Sequence, residues 1–326
     1  MRLVTYQKGD GAQRAGALIE GDARIVDLAE AHAALSREPG PGSVLAIVEG
    51  GDAALDRARE AVAKAPASAI VRRAEARLRA PIQPPPQMRD CLCFELHLKQ
   101  AFAASRKLAA MQSPDPEKAI AEIERSGAPD APPIFYQQPI YYKANRFAVI
   151  GTDDEVVWPA YSKFLDFELE FGVYIKGRVK DAPRDGALEH VFGYTIFNDM
   201  SARDAQAVEM EGRLGPAKGK DFDTANAMGP CLVTADEIPD PYNLAMIARV
   251  NGEEWGRGNS GSMYWKFEDL ISYISRSETL YPGEFLGSGT VGNGCGLEHL
   301  RFIKPGDVIE LEVERIGVLR NRVVGP

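Results

Sequence analysis

The sequence predicts an α+β fold: a small N-terminal α+β unit over residues 1–80 and a larger unit of mixed, mostly antiparallel strands over residues 81–326. Three observations carry this expectation. Strand-like segments cluster in the first thirty residues and return in force after Val156. A single amphipathic helix, not a regular alternation of helices and strands, interrupts the later set. A proline-rich stretch, Pro81-Ile-Gln-Pro-Pro-Pro86, lies between the two groups, and prolines that lack an N–H can continue neither a helix nor a central strand.

In chain order, residues 2–7, 15–19 and 24–27 read as short strands, and residues 52–64 as a helix with Asp52 at its start to cap it. Glycines and prolines at 39–42 separate strands from helix. Beyond the proline stretch, residues 91–94 read as a short buried strand, and residues 98–110 as a helix with no breaker before Ser113-Pro-Asp-Pro116. A polar helical segment at 117–125 and Ala131-Pro-Pro133 complete the excursion. Residues 98–133 are therefore expected to be a flap that gates a site, or else a surface excursion without a role.

Residues 167–175, 191–198, 244–250 and 308–314 carry strand signals. Asn251-Gly252 after the third of these is a two-residue hairpin signal. Phe267, Leu270, Ile271 and Ile274 share one helical face.

Bulk properties narrow the function. With 326 residues, 45% of them hydrophobic and 26% charged, the chain is globular in composition. A net charge of −9 and a pI near 5.2 argue against nucleic acid or an anionic membrane as partner, since either calls for a dense Lys/Arg face. No secretory signal opens the chain, and no run approaches the roughly 18 apolar residues of a membrane span. A cytoplasmic protein acting on a small molecule is expected. Cys91, Cys93, Cys231 and Cys295 are too sparse for a disulfide framework, and Cys91-Leu-Cys93 lacks C-x-x-C spacing, so all four are expected to be reduced packing residues.

The chemistry is concentrated in acids. Asp166-Phe-Glu-Leu-Glu-Phe171 alternates acidic and apolar residues, so a strand there places Asp166, Glu168 and Glu170 on one face. Such a face is either a solvated edge or a buried site. The nearby Val191-Phe-Gly-Tyr-Thr-Ile-Phe197 is apolar on both faces, hence buried, and delivers Asn198-Asp199 at its C-terminal end, where sites collect. Asp90 precedes another buried strand. Oxygen ligands with no Cys or His pair among them select a hard ion, Mg²⁺, Mn²⁺ or Ca²⁺, rather than zinc.

Asp-Phe-Glu-Leu-Glu170 followed by Phe-Asn-Asp199-Met-Ser-Ala-Arg-Asp204-Ala-Gln206 resembles the signature of the fumarylacetoacetate hydrolase family. So do, in order, Gly215-Pro-Ala-Lys-Gly-Lys220-Asp-Phe-Asp-Thr224, Met228-Gly-Pro230, Leu286-Gly-Ser-Gly-Thr290, and the closing run from Lys304-Pro-Gly-Asp-Val308 to Arg322. The resemblance implies a β-roll catalytic domain of that family's type. It puts Glu168, Glu170 and Asp199 in the places of the common metal ligands, and Asp90 in that of the fourth ligand of the longer hydrolases. Asp166 is not a ligand there. Lys220 and Thr224 stand where the family has a lysine and a threonine beside the metal, with Lys218 the competing lysine.

The same resemblance puts His97 at the general base of the hydrolase members and Glu298 at its acidic partner, with Glu95 as the local alternative. An imidazole base needs such a carboxylate to fix its tautomer and stabilise the imidazolium. Gln100 stands where shorter members carry a glutamate, which favours Glu298. Arg106 and Gln206 resemble substrate contacts, and Thr290 with its glycines is expected to offer backbone N–H groups to a substrate carboxylate. Leu92 and Met210 replace two substrate tyrosines of the fumarylacetoacetate enzyme, leaving Tyr141 or Tyr142 to supply a phenol. Ser201-Ala-Arg-Asp204 has the form of a capping box for the helix after Asp199.

The expected function is hydrolysis of a C–C bond in a β-diketone or 2,4-dioxo acid by a homodimer holding Mg²⁺ (or Mn²⁺ or Ca²⁺). Two alternatives stand beside it. One is a decarboxylase, isomerase or hydratase of the same family acting on a related 2-oxo acid; the other is a non-catalytic, metal-stabilised binding protein.

Overall fold

The computed structural model describes residues 1–36, 40–111, 113–127 and 130–325. Pro39 of the expected 39–42 separator, and residues 112, 128 and 129 of the expected flap, lie outside them. The fold is α+β, as the strand-rich pattern predicts, and most described strands join one mixed sheet of twelve. Its order runs from Ile70–Arg72 through Arg24–Asp27, Arg14–Ile19 and Arg2–Gln7, then Asn226–Thr234, Val191–Asp199, Leu169–Ile175, Phe285–Gly287, Met88–Cys91 and Tyr141–Lys143. The first strand of the chain thus pairs directly with a late one, Arg2 opposite Val233 and Leu3 opposite Leu232. The Pro81–Pro86 stretch runs between two segments of one continuous sheet.

A second sheet of five holds Glu253–Asn259, Ala245–Val250, Val308–Val313, Gly317–Val324 and Glu155–Val157. Its first hairpin turns at Asn251-Gly252, both with positive φ, and Val250 pairs with Glu253, the geometry that Asn-Gly favours. The main core lies between the two sheets and unites Val173, Ile196 and Leu286 with Met246, Ile309 and Leu311. Aromatic Phe171 meets Phe267 of the Phe267–Ile274 helix edge to face. The other face of the large sheet is covered by N-terminal helices. Leu28, Ile47 and Leu55 pack there against Tyr174, Phe197 and Phe285.

Three local expectations are corrected. Asp52 lies in the first turn of the Gly51–Ala63 helix and pairs with Lys176, and Gly50 stands at the cap without a side-chain bond. The helix expected at 98–110 begins earlier, at Glu95, and runs to Met111, which brings His97 inside its first turn. Ser201 and Asp204 form no capping box. The Ser201 hydroxyl donates to the Asp199 carbonyl, and Asp204 accepts from the Ser162 hydroxyl and the Lys163 N–H. Asp115, by contrast, does cap Pro116–Ser126 through the Lys118 N–H, with proline at the first turn where its missing N–H costs nothing.

Every residue of Leu169–Ile175 and Val191–Asp199 is buried, so both strands are packed on two faces. Gly172 is required in that setting. A Cβ on it would lie 2.3 Å from the Phe285 ring and 2.5 Å from the Leu286 carbonyl, where strands Leu169–Ile175 and Phe285–Gly287 meet. Gly172→Ala is expected to destabilise the protein by about 3 kcal/mol through overpacking. Denaturant unfolding checks this as a lower midpoint with an unchanged slope.

Candidate active site

Asp90, Glu170 and Asp199 bring carboxylate oxygens within 4.8 Å of one another, and all three residues are buried. Strand register places them. Glu170 pairs with Phe197, two residues before Asp199, and Gly172 pairs with Gly287, which in turn pairs with Asp90. Gly287 leaves room for the acid, since a Cβ there would lie 2.5 Å from Asp90 Oδ1. Some lone pairs are used: Asp90 Oδ1 accepts from the Gly289 N–H at 3.3 Å, and Glu170 Oε1 from the Thr290 hydroxyl at 3.2 Å. Asp199 Oδ2 accepts from the Tyr142 hydroxyl and the Lys220 ammonium, each at 2.6 Å.

Glu170 Oε2 and Asp199 Oδ1 are buried with no hydrogen-bond partner among the described residues. A dry, unpaired carboxylate is unfavourable by several kcal/mol unless it protonates or meets a cation. Burial first, then the charge of Asp199, pushes Asp90 up to about 8. Burial first, then Asp90 and Glu168, holds Glu170 well above the carboxylate range. Burial also raises Asp199, against the pull of Lys220. An all-oxygen donor set with two orphaned carboxyl oxygens fits a hard divalent ion.

Glu168, expected as one of the common ligands, is placed beside this trio with its oxygens already engaged. Oε2 takes the Lys220 ammonium at 2.6 Å and Oε1 the Arg203 guanidinium at 2.8 Å. Burial would raise its pKa, but Lys220 and Arg203 together outweigh that and hold it well below the usual range. Lys220 bridges Glu168 and Asp199, so it sits between the fourth acid and the trio. The alternation expected here holds: Phe167, Leu169 and Phe171 enter the core, while Asp166 and Glu168 share Arg203 and Glu170 joins Asp90 and Asp199, although the strand pairing is not continuous. The strand is interrupted at Phe167 and Glu168, where Glu168 makes an isolated bridge to Cys295. Asp166 accepts from Arg203 and from the N–H groups of Gly296 and Leu297.

His97 Nδ1 lies 2.9 Å from Glu298 Oε1, and the side chains are 9% and 0% exposed. Glu298 Oε2 accepts from the Cys295 N–H at 3.0 Å, so the carboxylate is held from both sides. Glu95 is occupied elsewhere, by Lys99 and the Tyr136 hydroxyl. Gln100 and Asn293 exchange two hydrogen bonds, which tie the His97 helix to the loop after Thr290.

The remaining predicted residues divide. Lys220 and Thr290 reach the carboxylates. Gln206 touches the cluster only through Arg203. Thr224, with φ 69°, accepts from the Val157 N–H, and exposed Arg106 donates to the Ser126 hydroxyl, so neither joins the cluster in this structure. Arg203, which reads locally as a helix-start residue, escaped sequence reasoning. Of the two phenols expected, Tyr142 is the one that reaches the carboxylates, through its register opposite Asp90.

A β-roll that buries a carboxylate trio next to a histidine–glutamate pair defines a class of α+β enzyme. The sequence profile described as "Fumarylacetoacetate (FAA) hydrolase C-terminal" matches residues 106–324, and the chain belongs to the fumarylacetoacetate hydrolase family. Asp90 and His97 lie upstream of the matched stretch. The human protein named oxaloacetate tautomerase FAHD2A, mitochondrial, is 40% identical over 189 residues, 58% of this chain and 60% of that relative. The chain therefore matches only about three-fifths of that relative's length. The fumarylacetoacetate hydrolase of Exiguobacterium antarcticum superposes with a TM-score of 0.74 at 24% identity, over 100% of both chains. The maleylpyruvate hydrolase of a Sphingobium species does so with a TM-score of 0.71 at 21% identity, again over 100% of both chains, and these two likenesses show the shared fold.

Two outcomes follow from the electrostatics. Native Asp90 keeps its proton up to about pH 8, whereas the unfolded chain releases it near pH 4. This contribution to the stability of metal-free protein is thus full below about pH 4 and is lost as the pH rises to about 8. Thermal melts should show Mg²⁺ raising Tm more at pH 8 than at pH 5; an equal effect at both would count against the trio as the ion's site. Glu170→Gln should weaken Mg²⁺ by at least about tenfold in calorimetry while leaving the metal-free fold intact.

Proposed function

We propose that the protein is a divalent-metal-dependent enzyme that hydrolyses a C–C bond in a 2,4-dioxo acid or β-diketone. The observation that carries this reading is the buried His97–Glu298 pair at 2.9 Å, linked through Cys295 to Glu168, which Lys220 joins to the carboxylate trio. Asp90, Glu170 and Asp199, with Glu168 beside them, would hold Mg²⁺ or a similar ion, which when bound polarises the substrate's carbonyl oxygens. Glu298 fixes the imidazole with Nδ1–H directed at its carboxylate, which leaves Nε2 as the free base. Nε2 takes a proton from water as the oxygen adds to one carbonyl carbon. The bond between that carbon and the central carbon then breaks, and the His97 imidazolium returns the proton to the departing carbon. One water is consumed and one C–C bond lost, giving a carboxylic acid and a ketone or 2-oxo acid. Lys220, already between two acids, supplies positive charge where the enolate forms.

A second reading is favoured by the relatives named oxaloacetate tautomerases in human and cattle, 39–40% identical over the matched stretch. The same base would then carry a proton between the carbon and the enol oxygen of a 2-oxo acid, with no water added. Assays at fixed Mg²⁺ on an acylpyruvate, oxaloacetate and a simple β-diketone, run in ¹⁸O-water, separate the two. The hydrolase reading expects label in the released carboxylic acid; enol–keto interconversion of oxaloacetate without label or cleavage selects the tautomerase. His97→Ala is expected to lower kcat by at least about 100-fold. Its Mg²⁺ affinity by calorimetry should stay within about twofold, because His97 is outside the oxygen trio.

A further inference from the structure

Beside the carboxylate trio lies a second group of donors with a different chemistry. One atom each of the His97 imidazole, the Cys295 thiol and the Glu298 carboxylate lie within 4.8 Å of one another. Cys295 is 1% exposed, and its sulfur makes no hydrogen bond among the described residues. The thiol borders Ala104 and Leu297, so plain packing would explain its burial but not its approach to two polar ligand groups.

The scaffold around these donors is rigid. Cys295 bridges Glu168 across a strand-like pair, and its N–H is held by Glu298 Oε2. Asp166 holds the next two N–H groups, of Gly296 and Leu297. His97 comes from the helix that Gln100 and Asn293 tie to the same loop. Nitrogen, sulfur and oxygen donors together suit a borderline-soft ion, whereas the oxygen trio suits a hard one. Around zinc, ligand atoms about 2.0–2.3 Å from the metal stand about 3.5 Å apart. The donors lie within 4.8 Å of one another, with His97 Nδ1 and Glu298 Oε1 at 2.9 Å, so reaching that spacing takes a side-chain movement on the order of 1 Å.

We propose that His97, Cys295 and Glu298 form a site for zinc-class divalent ions, separate from the hard-ion trio, and that filling it switches the enzyme off by capturing the base. On binding, the Cys295 thiol releases its proton to solvent and the His97 imidazole gives a ring lone pair to the ion. Glu298 Oε1 exchanges the imidazole for the ion, while Oε2 keeps the Cys295 N–H. Water completes the fourth position. The two sites are neighbours, since Cys295 pairs with Glu168, which shares Lys220 with Asp199.

The inhibitory half rests on His97 as the base; the binding half does not. Mg²⁺-saturated full-length protein is titrated with Co²⁺ as the zinc surrogate. A near-ultraviolet thiolate-to-cobalt band should rise and saturate at about one ion per chain, and added Zn²⁺ should bleach it. Cys295→Ser, shown folded by its melt and its Mg²⁺ binding, should lose the band, whereas Cys91→Ser and Cys231→Ser should keep it. Absence of the band in the natural chain, its survival in Cys295→Ser, or its loss in Cys91→Ser overturns the site. Where turnover is measured, Cys295→Ser should need at least about tenfold more Zn²⁺ for half-inhibition, taking the loss from a mere outer partner as the lower bound. Equal Zn²⁺ sensitivity overturns the inhibitory half. Lack of turnover on every substrate of the panel would sink the proposed function and leave the cobalt result standing on its own.

Discussion

The burial of acids in a dry sheet is the constraint on which the rest of the site depends. Asp90, Asp166, Glu168, Glu170 and Asp199 are all buried, and the cations in contact with them are Lys220 and Arg203. Removing an ion from water costs several kcal/mol even after the protein relaxes. The structure solves this in two ways. Asp166 and Glu168 are neutralised by cations and backbone N–H groups. Asp90, Glu170 and Asp199 have raised pKa values, and Glu170 and Asp199 each keep an orphaned oxygen, a set of donors that becomes stable when a divalent cation takes their charge.

The cations also join the two halves of the site. Arg203 contacts Asp166 and Glu168 together, and Asp166 in turn holds the N–H groups of the turn that leads to Glu298. Lys220 contacts Glu168 and Asp199. A continuous chain of charge-assisted bonds therefore runs from the turn beneath the histidine's partner to the carboxylate trio, and such bonds are both short and directional. The placement of His97 relative to the trio is set by this chain and by the Gln100–Asn293 tie, not by one segment of sequence.

Membership of the fumarylacetoacetate hydrolase family narrows the chemistry without choosing the reaction. Relatives and structural neighbours carry names that include hydrolases, isomerases and tautomerases. All these reactions profit from a stabilised enolate. What separates hydrolysis from the rest is water activation, for which the candidate in this chain is a histidine whose carboxylate partner lies 201 positions away.

The strands, the Asn251-Gly252 hairpin and the Phe267–Ile274 helix were legible in the sequence because their signals are local: alternation with period two, apolar runs, and one helical face. So was the set of acids, since their motifs stand in order along the chain. The joining of the N-terminal strands to the large sheet was not legible, because it depends on Leu3 meeting Leu232. The break at Phe167–Glu168 was not legible either. An alternating pattern predicts one face, but not that Arg203 takes Asp166 and Glu168, that Lys220 takes Glu168 and Asp199, or that Glu170 joins Asp90 and Asp199. By itself, then, the sequence determined an α+β chain with its acids on buried strand ends and its family membership. Tertiary structure alone decided which oxygens are paired and which are orphaned, and that His97 meets Glu298 and Cys295, because those facts depend on distances between residues remote in the chain.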